Sequence, residues 1–456
     1  MRKAGILMHI SSLPSPEGIG TFGREAYEFV DFLVKSKQKI WQILPLTYTS
    51  PIDKFSPYKS VSVFSGNTDF IDIRELHNEN LCSYPEFISS DPGKTDYEYV
   101  RKTKIKYLKE AYKNRFNMDL SEYDEFIKKN EFCLKPFAKY LKNNTIDEIE
   151  TEYVFFTQYL FFKQWNKLHK YANDKGISIL GDMPIYISEN SADFDENKDL
   201  FLTDKNGNLS GVAGVPPDAF SSVGQRWGNP LYNWEKMEDD NFAWWMKRFE
   251  FNLSMYDIIR MDHFRAFDRF YAIYENNGKW LKGPGKKFFD IFKAKFPNAK
   301  IIAEDLGIID DGVRDLLKYT GFPGMKVLEF AFDSDNNNLN LPHNYEKNVV
   351  SYTGTHDNKT LKEWLETEDR RIVDYAIQYM RLDTYDKYTE GMVRTVFSSV
   401  ADTVIIPIQD WLDLGKEDRM NTPSTTFGNW LFRIKPNVLT EELSNKISYL
   451  TTLYGR

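Results

Sequence analysis

Three carboxylates stand at the ends of three short apolar runs. Asp262 closes Ile-Ile-Arg-Met-Asp, Glu304 closes Ile-Ile-Ala-Glu, and Asp357 follows Tyr-Thr-Gly-Thr-His. A charge inside a buried strand is costly, whereas one where a strand opens into a loop is tolerated and free to react. Two carboxyl groups flanking a bond are the minimal machinery for cleaving a glycosidic linkage. At a separation of roughly 5–5.5 Å, one attacks while the other protonates the leaving oxygen. Arg260 lies two residues before Asp262. On a strand that is the same face, where a guanidinium would hold Asp262 ionised. In the acid role Glu304 must keep its proton, which requires a dry site or a neighbouring negative charge. Asp357 would hold sugar hydroxyls and stabilise developing positive charge, and His356 would donate to a hydroxyl. Each residue also has a plainer reading. Arg-x-Asp is an ordinary ion pair, Glu304 beside Asp305 fits a helix-cap cluster, and His356-Asp357-Asn358 could begin the next helix.

The elements that would position these groups are legible as eight apolar runs, at residues 5–10, 41–46, 177–185, 256–262, 300–305, 325–332, 348–356 and 403–409. Segments of helical spacing separate most of them. Ala26, Phe29, Val30 and Leu33 share one face after the first run; Phe155, Phe156, Tyr159, Leu160 and Leu168 share another before the third. Residues 311–319 and 359–380 read as further helices. Eight strands alternating with helices predict an α/β fold, a (β/α)8 barrel over residues 1–456, with acids from strands four, five and seven converging at its C-terminal mouth. An open doubly wound sheet is the alternative, and it does not explain that convergence. Residues 60–150 are Lys- and Glu-rich and helical in pattern, and read as an inserted helical subdomain between strands two and three. Residues 193–240 read as a long loop insertion after strand three, an active-site lid.

Composition narrows the function. The formal net charge of −8 gives no basic field, so nucleic acid is not an expected partner. Two cysteines in 456 residues form no disulfide framework and suit a reducing cytoplasm. No apolar stretch approaches the ~20 residues of a membrane span. The six histidines form no His-x-x-x-His or Glu-x-x-His pattern, so no metal or other cofactor is expected. His263, directly after Asp262, is expected to turn away into packing.

The chain resembles the 4-α-glucanotransferases of glycoside hydrolase family 77, within the α-amylase clan of TIM barrels. The motifs run nearly end to end. They are Ser11-Ser12-Leu13-Pro14-Ser15-Pro16, Trp41-Gln42-Ile43-Leu44-Pro45-Leu46, Ser56-Pro57-Tyr58, Gly181-Asp182-Met183-Pro184, Gly224-Gln225-Arg226-Trp227-Gly228-Asn229-Pro230, Arg260-Met261-Asp262-His263-Phe264-Arg265, Ala303-Glu304-Asp305-Leu306-Gly307, Gly354-Thr355-His356-Asp357-Asn358 and Arg419-Met420-Asn421-Thr422-Pro423. The resemblance implies a retaining mechanism, with Asp262 as nucleophile, Glu304 as acid/base and Asp357 as transition-state stabiliser. It also implies that Ser56, Tyr58, Gln225, Trp227, Arg260, Asp305, His356 and Asn421 contact the donor glucan, with Phe330 a candidate on the acceptor side. Donor and acceptor would both be α-1,4-glucans or maltooligosaccharides. A cytoplasmic monomer or weak homo-oligomer is expected. The chain departs from the family pattern at residues 47–55, where relatives usually carry a Gly/Tyr turn. It departs again at Asp218-Ala219-Phe220, where many carry Asp-Tyr-Phe. Both departures bear on glucan chain length and leave the core chemistry untouched.

Overall fold

The computed structural model describes residues 2–456 apart from 88–91, 146–148, 218–223, 276, 308 and 385–386. The second departure, at Asp218-Ala219-Phe220, therefore lies outside the described residues.

The eight apolar runs form eight strands, numbered β1 to β8 along the chain: Lys3–Leu7, Ile40–Gln42, Ser178–Met183, Ile258–Met261, Ile301–Ala303, Gly324–Val327, Val349–Tyr352 and Thr403–Pro407. They pair in parallel in the order β6-β7-β8-β1-β2-β3-β4-β5. Their continuous apolar character follows from burial on both faces, against the barrel interior and the outer helices. The remaining seam joins β5 to β6 with less than a full ladder. There Ala303 N donates to Pro323 O at 2.9 Å, and Met325 N donates to the Asp305 carboxylate at 2.6 Å. Asp305 can approach because Gly324 has no side chain; a Cβ there would lie 2.6 Å from Asp305 Oδ2.

The outer helices follow the sequence periodicity. Helix Arg24–Lys35 buries Ala26, Phe29, Val30 and Leu33, and Phe29 meets the Trp41 ring edge-on at 4.9 Å. Phe29, Val30 and Leu33 each contribute about 1.5–3 kcal/mol by leaving water. Helix Thr151–Asp174 buries Phe155, Phe156, Tyr159, Leu160 and Leu168. The single helix expected over 359–380 is two, Leu361–Thr367 and Arg370–Met380. Glu368 is extended and the Asp369 side chain accepts from Arg371 N, which restarts the helix. After Asn421 one helix is found, Glu441–Leu453. The intervening chain stays irregular because part of it walls the site described below.

Between β2 and β3 lie the helices Ile73–Asn78, Tyr97–Lys113 and Ser121–Asn144. A buried ion pair ties the second of these to the loop after β1: Lys104 Nζ lies 2.6 Å from Glu17 Oε2 and 2.6 Å from Ile71 O. The segment after β3 is not only loop. Its strands Val212–Val215 and Gln225–Pro230 join Arg269–Tyr274 and Asn277–Lys282, which follow β4, in a four-stranded antiparallel sheet. Short Gly-containing strands such as Val-Ala-Gly-Val carry no alternation, so this sheet left no clear period in the sequence. It stands over the mouth of the barrel, beside Asp262.

Candidate active site

Asp262 and Glu304 directly follow the C-terminal ends of β4 and β5, Asp357 lies five residues past the end of β7, and the three line one open cleft of about 680 Å³. That volume suits a small-molecule or oligosaccharide ligand. The caps confirm that these acids are not spent on helix starts. Asp310 caps Asp311–Thr320, and Thr360 caps Leu361–Thr367.

One guanidinium organises the floor. Arg260 Nη1 lies 3.0 Å from Asp262 Oδ1 and 2.8 Å from both oxygens of Asp182, while Nη2 lies 4.0 Å from Glu304 Oε2. Asp182, at the end of β3, is buried and also accepts from the Tyr58 hydroxyl at 2.8 Å. The sequence assigned Asp182 no role, because it lies inside the apolar run 177–185 and one residue before the end of β3 rather than closing it. Because Arg260 is shared, its attraction does not outweigh desolvation at Asp262. Burial pushes the Asp262 carboxyl up to about 6 despite Arg260, with Asp182 and Asp357 adding to the rise.

After Asp262 the chain turns sharply through His263, which sits in the left-handed region at φ 46°. A non-glycine residue there is strained and marks a functional turn. The turn aims His263 N–H at Glu304 Oε2 (2.7 Å), while Leu306 N–H donates to Glu304 Oε1 (2.8 Å). Two backbone donors fix the carboxyl plane. Burial pushes Glu304 up to about 7; Arg260 opposes the rise and the charge of Asp262 reinforces it. The His263 ring does not leave the site. It borders the cleft and packs edge-on against Trp227, with ring centres 4.8 Å apart.

Asp357 is bound on three sides. Its carboxylate accepts from Asn421 Nδ2 at 2.6 Å and lies 3.3 Å from His356 Nε2. Its main-chain carbonyl accepts from Arg419 Nη2 at 2.8 Å. Burial opposes ionisation, but His356, Asn421 and Arg260 together hold this carboxyl down to about 2. It is therefore a fixed negative charge. Tyr58 stacks on the His356 ring at 5.1 Å and 12°.

Of the residues expected to contact substrate, Ser56, Tyr58, Gln225, Trp227, Arg260 and Asn421 line the cleft. The Gln225 side chain accepts from Trp227 Nε1 at 3.1 Å, which orients the indole. The other three make contacts of their own. His356 keeps Nε2 3.3 Å from the Asp357 carboxylate, stacks on Tyr58 and also borders a small cavity with His9 and Asp410. Asp305 is turned to the β5–β6 seam, as alternation along an extended chain demands of the neighbour of Glu304. Phe330 closes the short turn Leu328–Phe330 after β6 and is not part of the cleft wall. The walls also include aromatics that sequence reasoning did not single out: Tyr186, Trp280 and Trp430. Among the described residues no group of three or more His, Cys, Asp or Glu is placed to hold a metal ion, and no helix is long and apolar enough to cross a membrane.

Comparison with known proteins gives a consistent answer. Residues 8–148 and 141–440 match the family model described as 4-alpha-glucanotransferase. A 4-alpha-glucanotransferase from Clostridium butyricum is 44% identical over 487 residues, covering 98% of this chain and 100% of that one. One from Streptococcus pneumoniae strain TIGR4 is 42% identical over 494 residues, covering 100% and 97%. The solved amylomaltase from Streptococcus agalactiae, in complex with acarbose, superposes with a TM-score of 0.95 at 39% identity over the full length of both chains. With the barrel and its acidic cleft, these likenesses establish that the chain belongs to the 4-α-glucanotransferase family, glycoside hydrolase family 77, and is a glycosyltransferase-type enzyme.

Proposed function

We propose that this enzyme moves α-1,4-glucan segments between maltooligosaccharides by a retaining double displacement. Asp262 attacks the anomeric carbon of the donor, and Glu304 gives its proton to the departing 4-oxygen. The bond from anomeric carbon to leaving oxygen breaks as the bond to the Asp262 carboxylate forms. The 4-hydroxyl of an acceptor glucan then attacks the same carbon from the vacated side. Glu304 takes the acceptor's proton, and the Asp262 carboxylate is released. Asp357, permanently ionised, stabilises the oxocarbenium-like charge and binds sugar hydroxyls.

The observation that carries this reading is the placement of two carboxyl groups around Arg260 in one cleft, Asp262 Oδ1 3.0 Å from Nη1 and Glu304 Oε2 4.0 Å from Nη2. Burial raises both carboxyls, and the charge of Asp262 favours the proton on Glu304. The aromatic walls, Tyr58, Trp227 and Trp430 among them, offer apolar faces to sugar rings. The acarbose bound by the Streptococcus agalactiae relative is in keeping with a glucan-shaped cleft. Transfer requires that an oriented acceptor outcompete water, and the segment 193–240 would act as a lid that favours it.

The test is incubation of the purified protein with maltotriose alone, following free glucose, reducing ends and the oligosaccharide ladder. A ladder of longer glucans with constant reducing ends is expected. Net growth of reducing ends would make water the acceptor and the enzyme a hydrolase. No reaction on any α-glucan would leave only a binding barrel.

A further inference from the structure

Arg419 and Glu363 stand behind the cleft and are not part of its wall, yet both are tied to its charged side. Three nitrogens of the Arg419 guanidinium face three different segments. Nε donates to Asn421 O and Nη2 to Asp357 O, each at 2.8 Å, and Nη1 lies 3.6 Å from Glu363 Oε1. Among the described residues Glu363 is the one carboxylate within 4.0 Å of this guanidinium. The two side chains are only 6% and 15% exposed, Glu363 the more buried. A guanidinium so placed holds a fixed orientation only when each edge of its rigid fork has a partner.

The local sequence favours a different use of Glu363. Thr360-Leu361-Lys362-Glu363 has the spacing of a capping box, in which the glutamate reaches back to the N–H of the first residue. The structure makes the first half of that box: Thr360 caps the helix Leu361–Thr367 by accepting from Glu363 N at 3.2 Å. The Glu363 carboxylate turns to Arg419 instead, and its Oε2 is buried with no hydrogen-bond partner among the described residues. A buried carboxylate held this way is costly unless a cation faces it. A second buried acid, Glu329, is close enough to feel both Arg419 and Glu363. Burial and the charge of Asp410 push it well above the usual carboxylate range, against the pull of Arg419 and Lys359. Glu329 therefore keeps its proton, and Lys359 is engaged by Glu368 at 3.0 Å. The charge that balances Arg419 is that of Glu363.

We propose that Glu363 is a positioning residue: its carboxylate fixes Arg419, which in turn holds the main chains of Asp357 and Asn421 at the spacing the reaction needs. This rests on Asp357 being the charge that stabilises the transition state. Glu363 touches no substrate. It acts over two steps, from the helix Leu361–Thr367 to the carboxylate at the cleft. Loss of the anion frees Nη1 and lets the fork turn, so that Asp357 no longer meets the developing positive charge in one fixed place.

The test compares wild type with Glu363→Leu, Glu363→Gln, Arg419→Gln and the double variant joining Glu363→Leu to Arg419→Gln. The readouts are kcat and KM for maltotriose and the melting temperature. In Glu363→Leu kcat is expected to fall about tenfold to a hundredfold with KM little changed, the upper figure being the scale of a ~1 Å misplacement. Glu363→Gln keeps an acceptor oxygen toward Nη1 and should recover part of that loss. The double variant should be no slower than Arg419→Gln alone, because Glu363 acts through Arg419. Wild-type kcat in Glu363→Leu, or its full loss repeated on top of Arg419→Gln, would overturn the role. A lowered melting temperature with kcat unmoved would assign Glu363 to folding and overturn it as well. Should Glu363→Leu fail to fold, Glu363→Gln decides: a fall in kcat at constant KM supports the role, and wild-type kcat overturns it. A wild type that turns over no α-glucan would overturn the proposed reaction and this role with it, whereas an active wild type with unmoved variants would overturn the role alone.

Discussion

Arg260 makes closer contact with Asp182 than with Asp262: its Nη1 lies 2.8 Å from both oxygens of the former and 3.0 Å from one oxygen of the latter. Asp182 thus anchors the guanidinium and, through its own charge, raises the Asp262 carboxyl that Arg260 lowers. The active form carries Asp262 ionised and Glu304 protonated. Below about 6 Asp262 takes a proton, and above about 7 Glu304 loses one, so transfer should follow a narrow bell between these limbs. The limbs belong to the interacting pair rather than to either group alone. In Asp182→Asn one negative neighbour of Asp262 disappears. The acid limb should move to lower pH, measured as kcat/KM for maltotriose across pH 4–9. Movement to higher pH would mean that Asp182 acts mainly by holding Arg260 on Asp262.

Asn421 and Asp357 come from loops after different strands, and Arg419 clamps both. It donates to the main-chain carbonyl of Asp357 from Nη2 and to that of Asn421 from Nε, each at 2.8 Å. The backbone of the pair is thus held independently of the 2.6 Å side-chain bond. Asn421→Asp should place a second carboxylate against Asp357 and force the two to share a proton. The expected result is a fall in kcat of about 10²-fold, the scale of losing one positioned electrostatic group. The melting temperature should change little because Arg419 remains. A large drop in melting temperature with little loss of kcat would assign the contact to folding instead.

Lys104 and Glu17 test the packing of the helices between β2 and β3. Their side chains are 2% and 0% exposed. Burial pushes Glu17 up to about 7, with Lys104 opposing the rise. Lys104→Met removes the nearer of two cations from that carboxyl, Arg74 Nε remaining 3.7 Å from Glu17 Oε1, a change of at most roughly 3–5 kcal/mol when the remaining charge stays ionised. The loss should be largest at pH 8. It should shrink at pH 5, where Glu17 is protonated and neutral. Chemical denaturation at the two pH values measures the difference; an equal loss at both would show that Glu17 is already uncharged in the folded protein.

The eight strands were legible because both faces of a barrel strand are buried, which leaves short β-branched runs that nothing else in the chain imitates. The carboxylates at their ends were legible for the same reason: each alone has a plainer reading, but acids ending three such runs converge at one barrel mouth. Asp182 did not carry that signal, because Met183, Pro184 and Ile185 continue the apolar run beyond it. Its partner, Arg260, lies 78 residues away in sequence. The four-stranded sheet was missed because half of it lies after β3 and half after β4, and strand pairing across that distance leaves no local period. Asp305, which the family resemblance puts among the glucan contacts, accepts from Met325 N at the β5–β6 seam, the side that strand alternation after Glu304 implies. Motif resemblance locates a residue along the chain, whereas the alternation of an extended strand decides whether it faces the cleft or the β5–β6 seam.

The central claim is that Asp262 carries the glycosyl group and Glu304 supplies the proton. The most direct measurement uses Glu304→Gln with an α-maltosyl fluoride, whose leaving group needs no acid, followed by peptide mass mapping after a rapid acid quench. Without its general base, the variant should form the covalent species faster than an acceptor hydroxyl can open it. A maltosyl mass on the peptide containing Asp262, absent when Asp262 is also replaced by Asn, is the expected result. A label on any other residue, or turnover of the fluoride in Asp262→Asn at the wild-type rate, would contradict it.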